Sequence, residues 1–471
     1  MVDDNNLNNL DTLPNFNSEK ELIPSLLEEL FPICRSITGN GVRKSLDILN
    51  TISEFVISEI PSGTKCFDWE VPNEWNIDDA FVKDSTGKKI IDFKKNNLHV
   101  VSYSLPVNKI LKFDELESHL HTNSHIPDSI PYRTSYYNKT WGFCLSQKLF
   151  DKMNKNDNFH VVIDSSLSPG SLTYGEYLIE GKSKSEFIIS TYCCHPSLAN
   201  DNLSGMILWI LLLKYMKKKK TKFSYRFLII PETIGAIAYL SKNEKDIHNV
   251  CGGFILTCVG GPSNFSYKST FYGNHIIDHT VENTLSSLAI PFKKIPFSPR
   301  GSDERQFSSP GFRIPIGILC KDKFHEYDSY HTSQDNLKFI SMENILQSLS
   351  AYIQIINNLE KLDEFDLNNI HENVNKNSKF PIFKSTNPKC EPMLSKRGLY
   401  PSIGGSLKHS KSTFQSMLEN EENLDLLLNT LFFSDGQMSI EQIALKSNLP
   451  EEKLYECSNE LVKLNLMEKI V

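Results

Sequence analysis

The sequence has little that would tie the protein to a membrane surface, a nucleic acid or an oxidising compartment. Of its 471 residues, 50 are Lys or Arg and 57 are Asp or Glu, so the formal net charge is −7. No basic excess indicates binding to phosphates. The ten cysteines include no CxxC pair, which argues against a cysteine-based zinc site. A chain of this size folds without disulfides, so free buried thiols in a reducing cytoplasm are expected.

Long apolar runs and a secretory leader are also missing. The longest apolar stretch, 206–213, is far shorter than the about 20 residues that span a bilayer. It is expected to form a buried helix with a basic end. The N-terminus MVDDNNLNNLDTLPNFNSEKE is acidic and polar, without the basic-then-apolar order of a signal peptide. These absences predict a cytoplasmic protein without membrane contact.

Changes in hydrophobic periodicity divide most of the chain into two interleaved domains. After an irregular lead over 1–18, apolar residues at three- and four-residue spacing predict helices in 19–60. Short runs broken by Pro, Asn and Gly predict a small inserted β domain over 62–165. Strands alternating with helices over 166–362 predict an α/β catalytic domain, completed by 19–60, whose mixed sheet is flanked by helices.

The C-terminal part is set off by a polar linker near 363–380. Three helix patterns in 381–471 are similar to a winged helix, with a capping box at Ser439 and Gln442. The last of these helices carries four Glu against two Lys, whereas a helix that approaches phosphates should be basic. We therefore expect no nucleic-acid partner. The module is expected to pack on the catalytic domain or to mediate homo-oligomerisation.

The motif TYCCHPSLANDNLSG follows an apolar strand pattern and precedes the long apolar helix. Ligands of open α/β sheets bind just beyond the carboxyl ends of strands, and His195 and Asp201 lie in that connection. An imidazole and a carboxylate are suitable zinc ligands. Either residue alone is more often structural, but the whole motif favours a metal site. Cys194 and His195 are expected to point to opposite faces of an extended strand, which disfavours a Cys-His nucleophile.

Three further motifs follow later predicted strands. PETIGAIAYL places Glu232 at a strand end, where it is either a helix cap or a general base. GSDERQF contains three charged residues that singly are typical of a solvated turn: Asp303, Glu304 and Arg305. YHTSQDN contains His331, and the nearby His325 is a competing ligand candidate.

In this order the motifs resemble the zinc aminopeptidase and glutamate-carboxypeptidase family, which includes the glutaminyl cyclases. ANDNLSG resembles that family's bridging-Asp segment, and YHTSQDN resembles its last His segment. More closely, the chain is similar over about 20–465 to bacterial aminopeptidase-like proteins with an inserted β domain and a C-terminal winged helix, often associated with polysaccharide biosynthesis. The resemblance implies a zinc-exopeptidase-like fold. It also implies hydrolysis of an amide bond in a small peptide, amide or amino-sugar substrate.

The chain departs from that family at two carboxylate ligands of its two-metal site. Where the family has a Glu-Glu pair, Glu232 is followed by Thr233, and where a further Asp is expected the chain offers Thr257 or Cys258. The candidate ligands that remain match a single zinc with an open position: His195, Asp201 and His331.

The resemblance assigns Glu232 as the general base that takes a proton from water and returns it to the leaving amine. It implies that Asp303 or Glu304 holds a substrate ammonium and that Arg305 holds a carboxylate. An open alternative makes Glu232 a metal ligand and Glu304 the base. The lost ligands also leave open an inactive ligand- or partner-binding protein, and the C-terminal helices leave open a winged-helix regulator.

Overall fold

The structure is a computed structural model, and it describes residues 16–364, 367, 379–401, 403–405 and 421–470. Most of the lead expected over 1–18 and most of the linker expected near 363–380 lie outside the described residues.

The described chain contains twelve α-helices and twenty β-strands. The helices are α1 (Asn17–Leu30), α2 (Asn40–Ile52), α3 (Phe113–Glu117), α4 (Gln147–Asp151), α5 (Gly205–Met216), α6 (Ile234–Lys242), α7 (Ile276–Ser287), α8 (Glu304–Phe307), α9 (Met342–Leu359), α10 (Glu421–Phe433), α11 (Ile440–Ser447) and α12 (Glu451–Lys463). The strands are β1 (Val56–Pro61), β2 (Lys65–Cys66), β3 (Trp69–Glu70), β4 (Glu74–Lys83), β5 (Lys89–Asp92), β6 (Val107–Lys112), β7 (Leu120–His121), β8 (Arg133–Thr134), β9 (Phe143–Cys144), β10 (Asn158–Ser168), β11 (Ser171–Ile179), β12 (Glu186–Tyr192), β13 (Ser224–Ile230), β14 (Val250–Leu256), β15 (Phe265–Lys268), β16 (Phe292–Ile295), β17 (Ile316–Cys320), β18 (Ile382–Ser385), β19 (Gly404–Gly405) and β20 (Met467–Ile470).

Eight strands form the central mixed sheet, in the order β1-β11-β13-β12-β14-β17-β15-β16. β12 is parallel to β13 and β14, and β14 is parallel to β17, so the carboxyl ends of these four strands meet at one edge. Side chains of β12 alternate between two cores: Phe187 and Ile189 pack with α1, α2, α5 and α9, and Ile188 packs with α6 on the other face. Burial of both faces explains the continuous apolar strand patterns.

Helix α5 is the apolar stretch that stood out in the sequence. Ten of its twelve residues are buried, and Trp209 packs edge-on against Phe55 with ring centroids 5.2 Å apart. The expected buried helix is therefore observed. No helix in the described ranges is both long and apolar enough to cross a membrane.

A second sheet is formed by strands between Glu74 and Ser168, so it overlaps the β insertion predicted over 62–165 and extends three residues beyond it. Its four strands are antiparallel in the order β5-β4-β10-β6, and β10 leads within three residues into β11 of the central sheet. Its buried side chains, including Val82 and Val161, share a core with α6. The exact boundaries at 62 and 165 stay a prediction.

The C-terminal helices α10, α11 and α12 pack beside a two-stranded sheet in which β18 pairs antiparallel with β20. Ser439 and Gln442 form the predicted capping box at the start of α11, and Pro450 is the N-cap residue of α12. The apolar core of this module also contains Phe271 and Phe297 from the catalytic part of the chain. We use "C-terminal module" below for the described residues from 379 onward.

Candidate metal centre

Three side chains from two distant parts of the chain converge at the carboxyl edge of the central sheet. His195 follows β12, Asp201 lies in the irregular turn Ala199–Ser204 that leads into α5, and His331 lies between β17 and α9. Each offers one ligand atom, and the three atoms lie within 4.8 Å of one another. We call these residues the triad. All three are buried, and their separation is within the reach of one metal ion.

The two carboxylate oxygens of Asp201 have different surroundings. Oδ1 accepts a hydrogen bond from the Tyr192 hydroxyl at 2.5 Å, and that hydroxyl lies 2.6 Å from the Thr257 hydroxyl. Oδ2 lies 2.9 Å from Nε2 of His331. Oδ2 of Asp201 and Nε2 of His331 are both buried, and neither has a partner with hydrogen-bond geometry among the described residues. Because buried polar atoms are almost always satisfied, this pair of facing ligand atoms fits a zinc ion.

Burial sets the protonation states of the triad. It lowers the pKa of His195 to about 4, so the imidazole is neutral at pH 7. Burial opposes ionisation of Asp201, but the neighbouring imidazoles and the Tyr192 hydroxyl outweigh it and hold the pKa of Asp201 below its ordinary value. A neutral imidazole and an ionised carboxylate are the forms that bind metals.

Asp335 holds the Asp201 turn in place, and the sequence argument missed this role. Its Oδ1 accepts from the backbone N–H of Asn200 at 2.6 Å, and its Oδ2 accepts from that of Asp201 at 3.0 Å. The Tyr327 hydroxyl also donates to Oδ2, at 3.0 Å. The motif YHTSQDN contains Asp335 shortly after His331, so the sequence could have indicated a carboxylate that supports the metal ligands. Groups that orient a ligand from behind are a regular part of metal sites.

The remaining residues of the Asp201 turn explain the NDNLSG pattern. Asn202 donates from Nδ2 to the Thr191 hydroxyl at 2.9 Å and to the Tyr192 carbonyl at 3.0 Å, which ties the turn to β12. The peptide bond between Asp201 and Asn202 is cis. A Cβ at Gly205 would lie 2.2 Å from Oδ1 of Asn202, so a larger residue cannot replace this glycine without displacing the turn.

Glu232 follows β13 and faces the triad. Its Oε2 lies 3.8 Å from Nε2 of His195, and its Oε1 accepts from the Ser302 hydroxyl at 2.7 Å. Burial, followed by the charge of Asp201, raises the pKa of Glu232 to about 7. The side chain makes no cap to α6, which begins at Ile234 without a side-chain cap. A carboxyl group whose pKa lies near neutral pH can act as a general base.

Asp303 and Glu304 lie behind the cavity wall, and both are fully buried. Asp303 accepts from the backbone N–H of Thr233 at 2.7 Å. Oε1 of Glu304 lies 2.5 Å from Nζ of Lys268, and its Oε2 accepts from a backbone N–H in the same turn at 3.0 Å. The solvated turn that is usual for such a charged run does not form, because both carboxylates are buried. Glu304 pairs with Lys268, whereas Oδ2 of Asp303 has no hydrogen-bond partner among the described residues. Of the three residues in this run, only Arg305 lines the cavity. Both oxygens of Glu304 are engaged and the residue does not line the cavity, which disfavours it as the alternative base.

The expectation that Cys194 and His195 diverge is wrong. The Cys194 sulfur lies 3.5 Å from Nδ1 of His195 and accepts from the backbone N–H of Glu232 at 3.2 Å. Strand β12 ends at Tyr192, so strand alternation no longer applies at these residues. Burial raises the pKa of the Cys194 thiol well above its ordinary value, which disfavours a thiolate nucleophile. His325 packs against Tyr330 and is not part of the triad.

The triad and Glu232 open into a cavity of about 910 Å³. Its wall is shared among three parts of the chain. The inserted region contributes Trp69 and Tyr137, the catalytic part contributes Arg305, and the C-terminal module contributes Glu391 and Tyr400. A volume of this size is typical of a small-molecule site.

Comparison with known proteins is consistent with these features. A family model described as Domain of unknown function (DUF4910) matches residues 25–362, and a winged helix-turn-helix model matches residues 381–469. A protein from Clostridium acetobutylicum, provisionally named as a polysaccharide biosynthesis protein with an aminopeptidase-like domain, is 45% identical over 448 residues, which are 95% of this chain and 96% of that protein.

Solved structures show the same architecture. A crystal structure from Clostridium acetobutylicum, provisionally named as a peptidase, is 42% identical with a TM-score of 0.72 and covers 98% of this chain and 100% of that one. A zinc aminopeptidase from Bacillus subtilis is 13% identical with a TM-score of 0.54 over 73% of this chain and 96% of that one, a likeness of fold. The predicted fold class and C-terminal winged helix are thus confirmed, and the chain belongs to the DUF4910 family of aminopeptidase-like proteins.

Proposed function

We propose that the protein is a zinc-dependent hydrolase of an amide bond, with one zinc held by His195, Asp201 and His331. The observation that carries the proposal is the pair of buried ligand atoms on Asp201 and His331 that face each other without hydrogen-bond geometry. Glu232, beside them, has the pKa of a general base. The aminopeptidase-like fold and the names of the relatives support this class of reaction.

A bound zinc would supply Lewis-acid polarisation of the amide carbonyl and a more acidic water. The residues of the chain perform the other tasks. Glu232 accepts a proton from the attacking water and delivers it to the leaving amine, and the Ser302 hydroxyl orients its carboxylate for both transfers. Asp335 fixes the turn that carries Asp201.

A single metal is supported by the residues that stand where the family resemblance implies two further carboxylate ligands, namely Thr233 and either Thr257 or Cys258. In addition, the Tyr192 hydroxyl already donates to Oδ1 of Asp201. Three ligands and an open position are the usual composition of a catalytic zinc site.

The substrate that we propose is a small peptide, amide or amino-sugar compound in polysaccharide biosynthesis, which the name of the Clostridium acetobutylicum relative supports. Arg305 would contact this substrate from the cavity wall, already paired with Glu391 at 3.2 Å. The cavity volume suits a compound of this size better than a folded protein.

The test combines metal analysis of the purified protein with a panel of aminoacyl and N-acyl-amino-sugar amides. We expect about one zinc per chain and hydrolysis that stops on chelation. Glu232→Gln should lower kcat by about 10²- to 10⁴-fold while zinc content is retained. Glu326→Gln is the matched control, because Glu326 also lines the cavity but lies at its exposed rim. Equal activity of the two variants would contradict the assignment of the base.

The replaced ligands favour one second candidate function, a ligand-binding protein without catalysis. Thr233, with Thr257 or Cys258, does not supply the charge that two carboxylates would give to a metal pair. If the protein contains no zinc and cleaves none of the amides while still binding one of them, this second function replaces the first.

A further inference from the structure

The basic side chains that line the cavity are already neutralised. There are four of them in the described part of the wall, and each forms an ion pair: Lys268 with Glu304, Arg300 with Asp425, Arg305 with Glu391, and Lys323 with Glu326. A phosphate or carboxylate group is bound by a guanidinium or ammonium that is free to pair with it. The wall away from the triad therefore suits an uncharged group better than an anion.

Aromatic rings also line the cavity. Trp69, Tyr136 and Tyr137 form one contiguous group, with ring centroids 5.8 Å apart between Trp69 and Tyr137 and 4.6 Å apart between the two tyrosines. Tyr330 and Tyr400 line the same cavity. The faces of aromatic rings carry partial negative charge, and they pack favourably against the polarised C–H face of a pyranose ring.

Unsatisfied polar atoms accompany these rings. The Thr134 hydroxyl and Nε of Arg305 are buried, and neither has a hydrogen-bond partner within the described ranges. Both residues line the cavity. Both atoms are covered in this conformation, so a sugar hydroxyl that donates to the Thr134 hydroxyl and accepts from the Arg305 guanidinium requires these side chains to rotate toward the cavity. A hydroxyl and an ion-paired guanidinium beside aromatic rings suit a ligand that is rich in hydroxyl groups.

The C-terminal module builds one side of this wall. The backbone carbonyl of Glu391 accepts from Nε1 of Trp69 at 2.8 Å, which joins the module to the aromatic group. Strand β19 pairs with β8 next to Tyr132, whose ring lies 5.2 Å from His195 and 5.1 Å from His331. Outside the cavity wall, Arg313 forms an ion pair with Asp435 of the module, with Nη2 of Arg313 3.0 Å from Oδ2 of Asp435. These contacts and the shared apolar core make the module a fixed part of the site.

We propose that the cavity holds an uncharged saccharide beside the triad and that the C-terminal module supplies the wall that selects it. The saccharide packs on Trp69 and Tyr137 and hydrogen-bonds to Thr134 and to the Arg305–Glu391 pair. The inference rests on the proposed function for the position of the amide to be cleaved. The saccharide contacts need no metal, so they can be tested separately.

The experiment measures binding of two probes to the full chain by calorimetry, before and after removal of metal by a chelator. N,N′-diacetylchitobiose is the saccharide probe, and trileucine is the peptide probe. We expect the saccharide to bind about tenfold more tightly than the peptide, with or without metal. Trp69→Phe removes the indole N–H and part of the ring, and Glu391→Gln breaks the ion pair, so each should weaken saccharide binding about tenfold.

Asp435→Asn is the matched control, because it breaks an ion pair at the same junction without touching the cavity wall. It should leave saccharide affinity unchanged. Tighter binding of trileucine, no saccharide binding at about 20 mM, or unchanged affinity in both cavity variants overturns the inference. A protein that binds the saccharide but has no zinc and cleaves no amide refutes the proposed hydrolase and leaves the saccharide site standing.

Discussion

At the scale of single residues, Tyr192 occupies one of the two carboxylate oxygens of Asp201 in the triad. It is buried at the end of β12, and its hydroxyl bridges Asp201 and Thr257. Burial, followed by the charge of Asp201, raises its pKa well above the ordinary value, so the hydroxyl stays protonated and remains a donor. A protonated donor on Oδ1 competes with any metal at that position.

The corresponding prediction concerns metal stoichiometry. The double variant Tyr192→Phe, Thr257→Asp frees one oxygen of Asp201 and adds a carboxylate beside it, so it should bind about two zinc ions per chain, against the one that we expect for the natural chain. Elemental analysis after equilibration with zinc measures this. Tyr225→Phe is the control, because it also removes a hydroxyl that donates to a carboxylate, here Glu360 at 2.8 Å, but away from the triad. Two zinc ions in the natural chain would refute the role of Tyr192.

A second residue-scale prediction concerns Asp335. Asparagine in its place keeps the size but exchanges one acceptor for a donor that faces a backbone N–H of the Asp201 turn. Asp335→Asn should therefore weaken zinc binding by about 10- to 100-fold, the usual effect of losing a group that orients a ligand. Competition with a chelator measures the affinity. Asp322→Asn serves as control, because Asp322 is also buried but bonds to Ser263 instead, and a similar loss in that variant would mean a general effect on folding.

At the scale of elements, helix α12 is acidic, whereas a helix that approaches DNA phosphates should be basic. Its thirteen residues include four Glu and two Lys, with Glu452 and Glu456 exposed. Helix α10 instead packs with Phe297 of the catalytic part, and its Asp425 reaches Arg300 at 3.4 Å. An acidic helix repels phosphates. Helix α10, in contrast, buries apolar side chains against the catalytic part of the chain.

We therefore predict no measurable binding to a mixed-sequence DNA duplex at low salt and micromolar protein. Mobility-shift assays test this, with the variant Glu452→Lys, Glu456→Lys as a charge-reversed comparison. The variant should gain weak, salt-sensitive binding, with Kd on the order of 10⁻⁴ to 10⁻⁶ M. Tight binding by the natural chain would restore the regulator hypothesis.

At the scale of the whole molecule, one ion-pair network joins α2, the central sheet and the second sheet. Arg43 on α2 lies 2.8 Å from Glu59 on β1 and 2.5 Å from Glu74 at the start of β4. Glu74 also accepts from the backbone N–H of Ser171, where β11 begins, at 3.1 Å. The hydrogen bond from Arg43 lowers the pKa of Glu74 from 4.5 to about 2.

This network predicts a pH-dependent loss of stability. The folded state favours ionised Glu74, so its contribution is complete above about pH 4.5 and is lost as the pH falls toward about 2. Glu74→Gln should lower the free energy of unfolding by about 1.5–3 kcal/mol at pH 6, the range for hydrogen bonds to charged groups. The difference should vanish near pH 2, as urea denaturation would measure. Glu70→Gln breaks an exposed pair with Lys65 and should cost less than about 1 kcal/mol.

Local sequence determined the elements and the positions of the chemical groups, because hydrophobic periodicity and strand-end motifs depend on neighbouring residues. The helix α5, the capping box of α11 and the strands that precede His195 and Glu232 were all predictable on this basis. The winged-helix module was recognisable from its helices and was confirmed by comparison.

Only the tertiary structure decided which groups meet and which are shielded. It placed Tyr192 against Asp201, buried Asp303 and Glu304 behind the wall, and brought Glu391 of the C-terminal module to Arg305. Partners of this kind are far apart in sequence or lie where a strand ends, so no periodicity encodes them. Their contacts depend on how the sheet edge, the second sheet and the C-terminal module pack together around one cavity.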